Sequence, residues 1–182
     1  MRRCAYMAGL VLAGFLLAGE VNAQQRVQPA EGTFSAGANV GVFVPRHDLA
    51  PTISVDVFGE FNILDRVSAR ILVGYADPNL VGSGDSLLQA RVTASVLYNW
   101  EAQAWHPFVL GGVGAYVLMT NSGTRYGPTT TRLGIHLGAG VEYFARATIA
   151  VKLEATYQFV GRGPGFVLPS GTQLTAGLKK YF

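Results

Sequence analysis

The chain has 182 residues, of which 49% are hydrophobic and only 14% are charged. An average soluble domain carries about 25% charged residues. Disordered chains lack so many apolar side chains, so the composition favours one folded domain with an unusually apolar surface. The formal net charge of +3 is too small to indicate an acidic partner, and the single cysteine, Cys4, excludes an internal disulfide.

The first segment, residues 1–23, predicts a secretory signal peptide. Arg2 and Arg3 precede an apolar run over about residues 5–18, and the segment ends in Val-Asn-Ala at 21–23. A basic start, a short apolar core and a small residue before the final alanine are the parts of a cleaved export signal. The apolar run is shorter than the ~20 residues of a membrane-spanning helix. We therefore expect the protein to be exported.

After a short segment over 24–32, the domain predicted for residues 33–182 contains eight stretches in which every second residue is apolar. This period of two indicates β-strands. The stretches are longer than the usual five or six residues of globular strands and suit strands that cross a membrane, which need about 9–11 residues. They cover residues 33–45, 52–64, 67–77, 87–100, 107–120, 132–144, 148–160 and 172–182.

The two faces of these predicted strands differ sharply in polarity. One face is almost entirely apolar, and the other collects charged residues: Asp56, Glu60, Arg70, Arg91, His136, Glu142, Lys152, Glu154 and Lys179. An apolar outside, a polar inside and an even strand count are typical of outer-membrane barrels. A soluble lipocalin-like barrel is disfavoured, because its outer face would carry more lysine and glutamate. The sequence thus predicts an all-β fold, an eight-stranded antiparallel up-and-down transmembrane β-barrel.

The fifth stretch leaves the assignment of its faces open. Gly112, Gly114 and Tyr116 suggest the inner face, but the apolar Phe108 and Leu118 share their parity.

The connections between strands predict the topology. Short links follow the second, fourth and sixth strands, whereas the links after the third, fifth and seventh are longer and rich in glycine, proline, serine and threonine. Short periplasmic turns and long external loops place both termini in the periplasm. Four residues of the long loops are then candidates for contacts outside the cell: Arg125, Tyr126, Arg162 and Phe166.

Outward aromatic residues support this topology, because they gather at strand ends rather than at strand centres. Such aromatics form girdles at the two membrane interfaces. The predicted girdle comprises Phe34, Phe61, Tyr75, Tyr98, Trp100, Tyr143, Tyr157, Phe159 and Phe182.

The inner face holds four acids and four bases, which predicts a network of ion pairs. An eight-stranded lumen is narrow enough for side chains to fill it, and a lone buried charge is unstable there. If the turn after the second strand is centred on Asp65, Glu60 and Arg70 lie opposite each other and form a salt bridge. Glu154 and Lys179, on neighbouring strands, are a second candidate pair.

The segments PFVLGGVGAYVLM, LGIHLGAGVEY and the C-terminal LTAGLKKYF resemble the small eight-stranded outer-membrane β-barrel family of Gram-negative bacteria. This family includes outer-membrane protein A-like domains and opacity-type proteins of the porin family. The resemblance implies an outer-membrane location, outer-membrane lipid and lipopolysaccharide as partners, and recognition of the terminal Phe182 by the outer-membrane assembly machinery. We find no signature of a cofactor, a metal site or nucleic-acid binding, and we expect a monomer.

We expect a non-enzymatic barrel with a structural, adhesive or surface-interaction role. A lipid A-modifying enzyme is one alternative, for which His47 beside Asp48 in the first external loop would be the base. His106 is predicted in a periplasmic turn and His136 in the lumen, and no serine has the His-x-Ser spacing of similar deacylase barrels.

A narrow pore or small-molecule conduit is the other alternative. It would need an apolar lumen, whereas the inner face is predicted to be charged except for Phe58, Leu72 and Leu97.

Overall fold

The computed structural model describes residues 30–46, 49–79, 87–100, 105–120, 129–161 and 170–182. They form eight strands: β1 (Phe34–Pro45), β2 (Thr52–Leu64), β3 (Val67–Ala76), β4 (Leu87–Asn99), β5 (Trp105–Thr120), β6 (Thr130–Arg146), β7 (Ile149–Val160) and β8 (Gly171–Tyr181). Each strand pairs antiparallel with the next, and β1 pairs with β8 to close the barrel. The predicted eight-stranded up-and-down barrel is confirmed. The predicted signal peptide, residues 1–23, lies outside the described residues.

Alternation along each strand turns the apolar side chains outward and the polar ones into the lumen. The outward Leu133, Ile53 and Ile71 are 77%, 68% and 64% exposed, whereas the inward Glu60 and Arg70 are almost fully buried. In a soluble protein the opposite holds, because large apolar side chains are buried and charged side chains are exposed to water. An apolar outer face is stable where lipid surrounds the wall. Among the described residues, no helix is long and apolar enough to cross a membrane.

We call the end where β1 begins and β8 ends the turn end, and the opposite end the loop end. Two-residue turns at the turn end join β2 to β3 at residues 65–66 and β6 to β7 at 147–148. The placement of the turn end in the periplasm stays a prediction.

Two strands extend further toward the turn end than the sequence predicted, and this corrects the position of His106. β5 begins at Trp105, because Trp105 pairs with Tyr143 and His106 with Glu142 on β6. His106 therefore lies on a strand rather than in a turn. Its ring is buried and packs edge-on against Phe144 at a centroid distance of 4.8 Å.

The structure settles the faces of β5. Phe108, Leu110, Tyr116 and Leu118 all lie in the lumen with at most 6% exposure, and Val113 between them is 62% exposed. The prediction of a lumen with few apolar residues was therefore wrong. Glycines of β6 make room for the large rings: Phe108 pairs with Gly140, where a Cβ would collide with its ring, and a Cβ at Gly134 would collide with the Tyr116 ring.

The structure places all nine predicted girdle residues on the outer face. Eight are at least 38% exposed, and Tyr157 is half-buried because it packs against Phe159 at 4.4 Å. Sequence reasoning missed one member, Trp105, which is 54% exposed and lies 4.7 Å from the ring of Tyr143. Trp105 was missed because the sequence analysis placed it in the link between the fourth and fifth strands rather than on a strand.

Candidate functional site in the barrel lumen

The nine predicted lumen residues all lie inside the barrel with at most 8% exposure. Six of them form one connected group near the turn end, which we call the ionic cluster: Glu60, Arg70, Glu142, Lys152, Glu154 and Lys179. The other three, Asp56, Arg91 and His136, lie nearer the loop end in separate pairs.

Glu60 is the hub of the ionic cluster. It accepts hydrogen bonds from Arg70 Nε at 3.0 Å, Lys179 Nζ at 2.7 Å and Ser68 Oγ at 2.9 Å. The predicted Glu60–Arg70 salt bridge is present, because the two residues are directly paired between β2 and β3. Charge-assisted bonds of this length are among the stronger contacts in proteins. The carboxylate is thus compensated on both of its oxygens.

The second predicted pair, Glu154 with Lys179, was wrong. Glu154 lies opposite Thr175, and Lys179 lies opposite Ala150. Four residues along a strand correspond to about 13 Å, which is beyond salt-bridge reach. Glu154 instead accepts from Arg70 Nη1 at 2.6 Å and Lys152 Nζ at 3.0 Å.

Glu142 completes the ionic cluster on the opposite wall. It accepts from Lys179 Nζ at 3.0 Å and from the hydroxyl of Tyr181 at 2.7 Å. Tyr181 was missed by the sequence analysis, although its inward parity on β8 matches that of Lys179. Its ring packs against Phe144 at 5.3 Å, which in turn contacts His106. These three rings cover the ionic cluster at the turn end.

Two phenylalanine rings cover the cations of the cluster toward the middle of the lumen. The ammonium of Lys152 lies 4.0 Å from the Phe58 ring centroid, and the guanidinium of Arg70 lies 5.0 Å from it. Phe108 lies within 6 Å of the same two cations. A cation over an aromatic face is stabilised more strongly when it is shielded from water. The two rings therefore stabilise these buried cations where carboxylates do not surround them.

A second ion pair spans the lumen wall above the ionic cluster. Asp56 on β2 accepts from Arg91 Nη2 on β4 at 2.5 Å and from Gln173 Nε2 on β8 at 2.8 Å. Strand β3 lies between Asp56 and Arg91, and Gly74 is the residue paired with both. Since Gly74 has no side chain, the two charged groups meet over it.

Ser95 and His136 also meet over a glycine of the strand that lies between them. Ser95 on β4 and His136 on β6 are both paired with Gly112 of β5, and Ser95 Oγ lies 2.7 Å from His136 Nε2. Both side chains are at most 7% exposed. A serine beside a histidine is half of a nucleophile–base arrangement, but this pair is enclosed in the lumen and faces away from the lipid.

Apolar residues fill the lumen at the loop end. Leu49, which follows β1, packs with Leu87 and Leu118 in a buried cluster, and Phe43 is fully buried nearby. The backbone N–H of Ala50 donates to the carbonyl of Asn79 at 2.8 Å, which holds this segment over the mouth. Side chains therefore occupy the lumen at both its turn end and its loop end.

The described residues hold no group of three or more histidine, cysteine, aspartate or glutamate side chains placed to bind a metal. The loop-tip candidates Arg125, Tyr126, Arg162 and Phe166 lie outside the described residues, as do His47 and Asp48. The carboxylates of the ionic cluster each bind at least one cation directly, so this cluster holds its charges in fixed pairs.

A closed eight-stranded wall with an apolar outer face, aromatic girdles and a charged lumen defines an integral membrane β-barrel of the outer-membrane class. The comparison with family models agrees: residues 11–182 match the outer membrane protein beta-barrel domain. The chain belongs to that family and is a bacterial outer-membrane protein. No curated protein is detectably similar to it in sequence.

Solved structures show the same fold at low sequence identity. Neisserial surface protein A matches with a TM-score of 0.66 and 15% identity, covering 82% of this chain and 96% of the other. The attachment invasion locus protein Ail of Yersinia pestis matches with a TM-score of 0.55 and 11% identity, covering 84% and 99%. The outer membrane enzyme PagL matches with a TM-score of 0.52 and 12% identity, covering 80% and 98%. At such identities the likeness concerns the fold alone.

Proposed function

We propose that the protein is a non-enzymatic outer-membrane barrel whose role is structural or adhesive and is exerted by its loops at the cell surface. The observation that carries this proposal is the filled lumen. Buried ion pairs occupy the turn-end half, and apolar side chains occupy the loop-end mouth. When the lumen of a barrel is closed, interactions with other molecules take place at its outer wall and its loops.

We infer that the protein is a monomer, held in the membrane by its lipid face and girdles. The outward residues of the described strands are apolar, and the aromatic rings gather at both ends, where lipid headgroups begin. Lipid and lipopolysaccharide are the proposed partners of this face. The terminal Phe182, whose ring is 69% exposed and 6.0 Å from that of Phe34, is the proposed contact for the assembly machinery.

The surface role is tested by replacing loops in cells that express the protein. In the test variant, residues 121–128 and 162–169 are replaced by glycine-serine segments of the same length. Folding is checked by heat-modifiable gel migration, and attachment to host cells or matrix proteins is measured. We expect the variant to fold and attachment to fall to the level of cells without the protein. Equal attachment with and without the native loops would refute the adhesive role.

The closed lumen has its own test, a single-channel recording of the refolded protein in a planar bilayer. We expect no steady conductance, since ions would have to break the ionic cluster to pass. A steady conductance of the wild type would favour the narrow-pore alternative instead.

The enzyme alternative is weaker, because the Ser95–His136 pair is buried in the lumen and lipid A lies outside the wall. Mass spectrometry of lipid A from cells with the wild type and with His47→Ala tests the remaining possibility. A mass change that depends on His47 would overturn the non-enzymatic proposal.

A further inference from the structure

A cavity of about 30 Å³ lies in the lumen beyond the ionic cluster, toward the loop end. The side chains around it come from several strands of the barrel. They include Asp56, Arg70, Arg91, Ser95, His136 and Glu154. All six are at most 8% exposed, so buried polar and charged groups line the cavity.

Both arginines of this wall retain one nitrogen without a hydrogen-bond partner among the described residues: Nη2 of Arg70 and Nη1 of Arg91. Arg70 binds Glu60 through Nε and Glu154 through Nη1, and Arg91 binds Asp56 through Nη2. A buried guanidinium N–H without an acceptor is costly, particularly on a charged group. The wall therefore has unmatched donors on two cations.

The carboxylates of the wall are already engaged. Asp56 accepts on both oxygens, from Arg91 and Gln173, and Glu154 accepts two cations on Oε2. The lining carries two carboxylates and two guanidinium groups, so its formal charges balance, and the unmatched groups on the arginines are hydrogen-bond donors. Ser95 and His136 add a hydroxyl and an imidazole ring to the same wall, and Nδ1 of His136 also lacks a partner among the described residues.

We propose that this cavity binds one small monovalent anion of halide size, held by Arg70 and Arg91. Two guanidinium groups form charge-assisted hydrogen bonds that are strong between buried groups. A buried water molecule needs about 10–15 Å³ of cavity space, so a cavity of about 30 Å³ has room for a single halide. Metal cations are disfavoured because the unmatched groups are donors. The site lies inside the wall and is independent of the surface role proposed above.

The first experiment uses the full-length mature barrel refolded in detergent and crystallised with sodium bromide. We expect an anomalous bromide peak within hydrogen-bond distance of both Arg70 and Arg91. In parallel, the melting temperature is measured in sodium bromide, chloride and gluconate at equal ionic strength. Since a ligand that binds only the folded state raises the folding constant about tenfold at ten times its Kd, we expect higher melting temperatures in bromide and chloride than in gluconate.

The variant Arg91→Lys removes the unmatched nitrogen but keeps a cation that can reach Asp56. We expect it to lose the halide-dependent rise in melting temperature, while Arg46→Lys, an exposed matched control at the loop end, keeps it. Ordered water alone in the cavity, or an adventitious ion only, with equal melting in halide and gluconate, would overturn the proposal. The wild-type measurements decide the question even where Arg91→Lys does not fold.

Discussion

Replacing Gly74 by alanine tests whether the lumen depends on glycines that let polar groups meet across a strand. A Cβ built on Gly74 would lie 2.6 Å from Arg91 Nε and 3.1 Å from Arg91 Nη2, and closer still to the Asp56 carboxylate. Neither side chain moves aside easily, because both are at most 4% exposed and are held in the 2.5 Å ion pair. The alanine must therefore separate Asp56 from Arg91.

The size of the effect follows from two opposing contributions. Breaking a buried ion pair costs about 3–5 kcal/mol, because each charge is left without its partner. Alanine is intrinsically better than glycine inside a strand by about 0.5–1 kcal/mol. We therefore expect Gly74→Ala to lower the free energy of unfolding by about 2–4 kcal/mol.

The matched control is Gly59→Ala on the outer face of β2. A Cβ there would lie 3.5 Å from the Phe34 ring, which is ordinary van der Waals contact. We expect this variant to be as stable as the wild type or slightly more stable. Unfolding in denaturant from lipid vesicles, followed by the fluorescence of Trp100 and Trp105 and by gel migration, measures both. Equal stability of the two variants would refute the role assigned to Gly74.

Three further outcomes follow from the same structure. Glu60→Gln keeps the shape but removes the charge that meets Arg70 and Lys179; we expect a loss of about 3–5 kcal/mol by the same unfolding assay, whereas Glu31→Gln, on an exposed residue, should change nothing measurable. Trp105→Ala removes the ring packed on Tyr143, and a loss of about 0.5–1.5 kcal/mol is expected beyond its lost buried area. Finally, the wild type should show no steady conductance in a planar bilayer, and a steady current would contradict the closed lumen.

The sequence was sufficient for the fold and for Glu60–Arg70 because both depend on local information. Alternation with period two assigns each residue to a face. The two-residue turn at 65–66 pairs Leu64 with Val67, and a bulge between Asn62 and Leu64 then shifts the register by one residue. Glu60 therefore lies opposite Arg70, as a turn centred on Asp65 predicts. The same logic failed for Glu154 and Lys179, since a long connection joins their strands and leaves the register free.

The apolar content of the lumen could not be predicted for a different reason. Phe108 lies inside because Gly140, on the neighbouring strand, leaves room for its ring. Alternation within β5 alone gives no such information, because apolar residues occupy both of its faces. The contact between Ser95 and His136 could not be predicted either, because the two residues lie two strands apart and meet only over Gly112.

The contacts of the ionic cluster also bear on how the barrel closes. Arg70 and Glu154 are 84 residues apart in the chain, and Lys179 and Glu60 are 119 apart. Lys179 reaches Glu60 across β1, so this bond exists only when β8 has paired with β1. Before closure, Glu60 would lack one of its two cations in a forming lumen that water is leaving, a state penalised by uncompensated charge. The last pairing and the burial of the ionic cluster are therefore coupled, which favours a cooperative closure over a stable, partly open barrel.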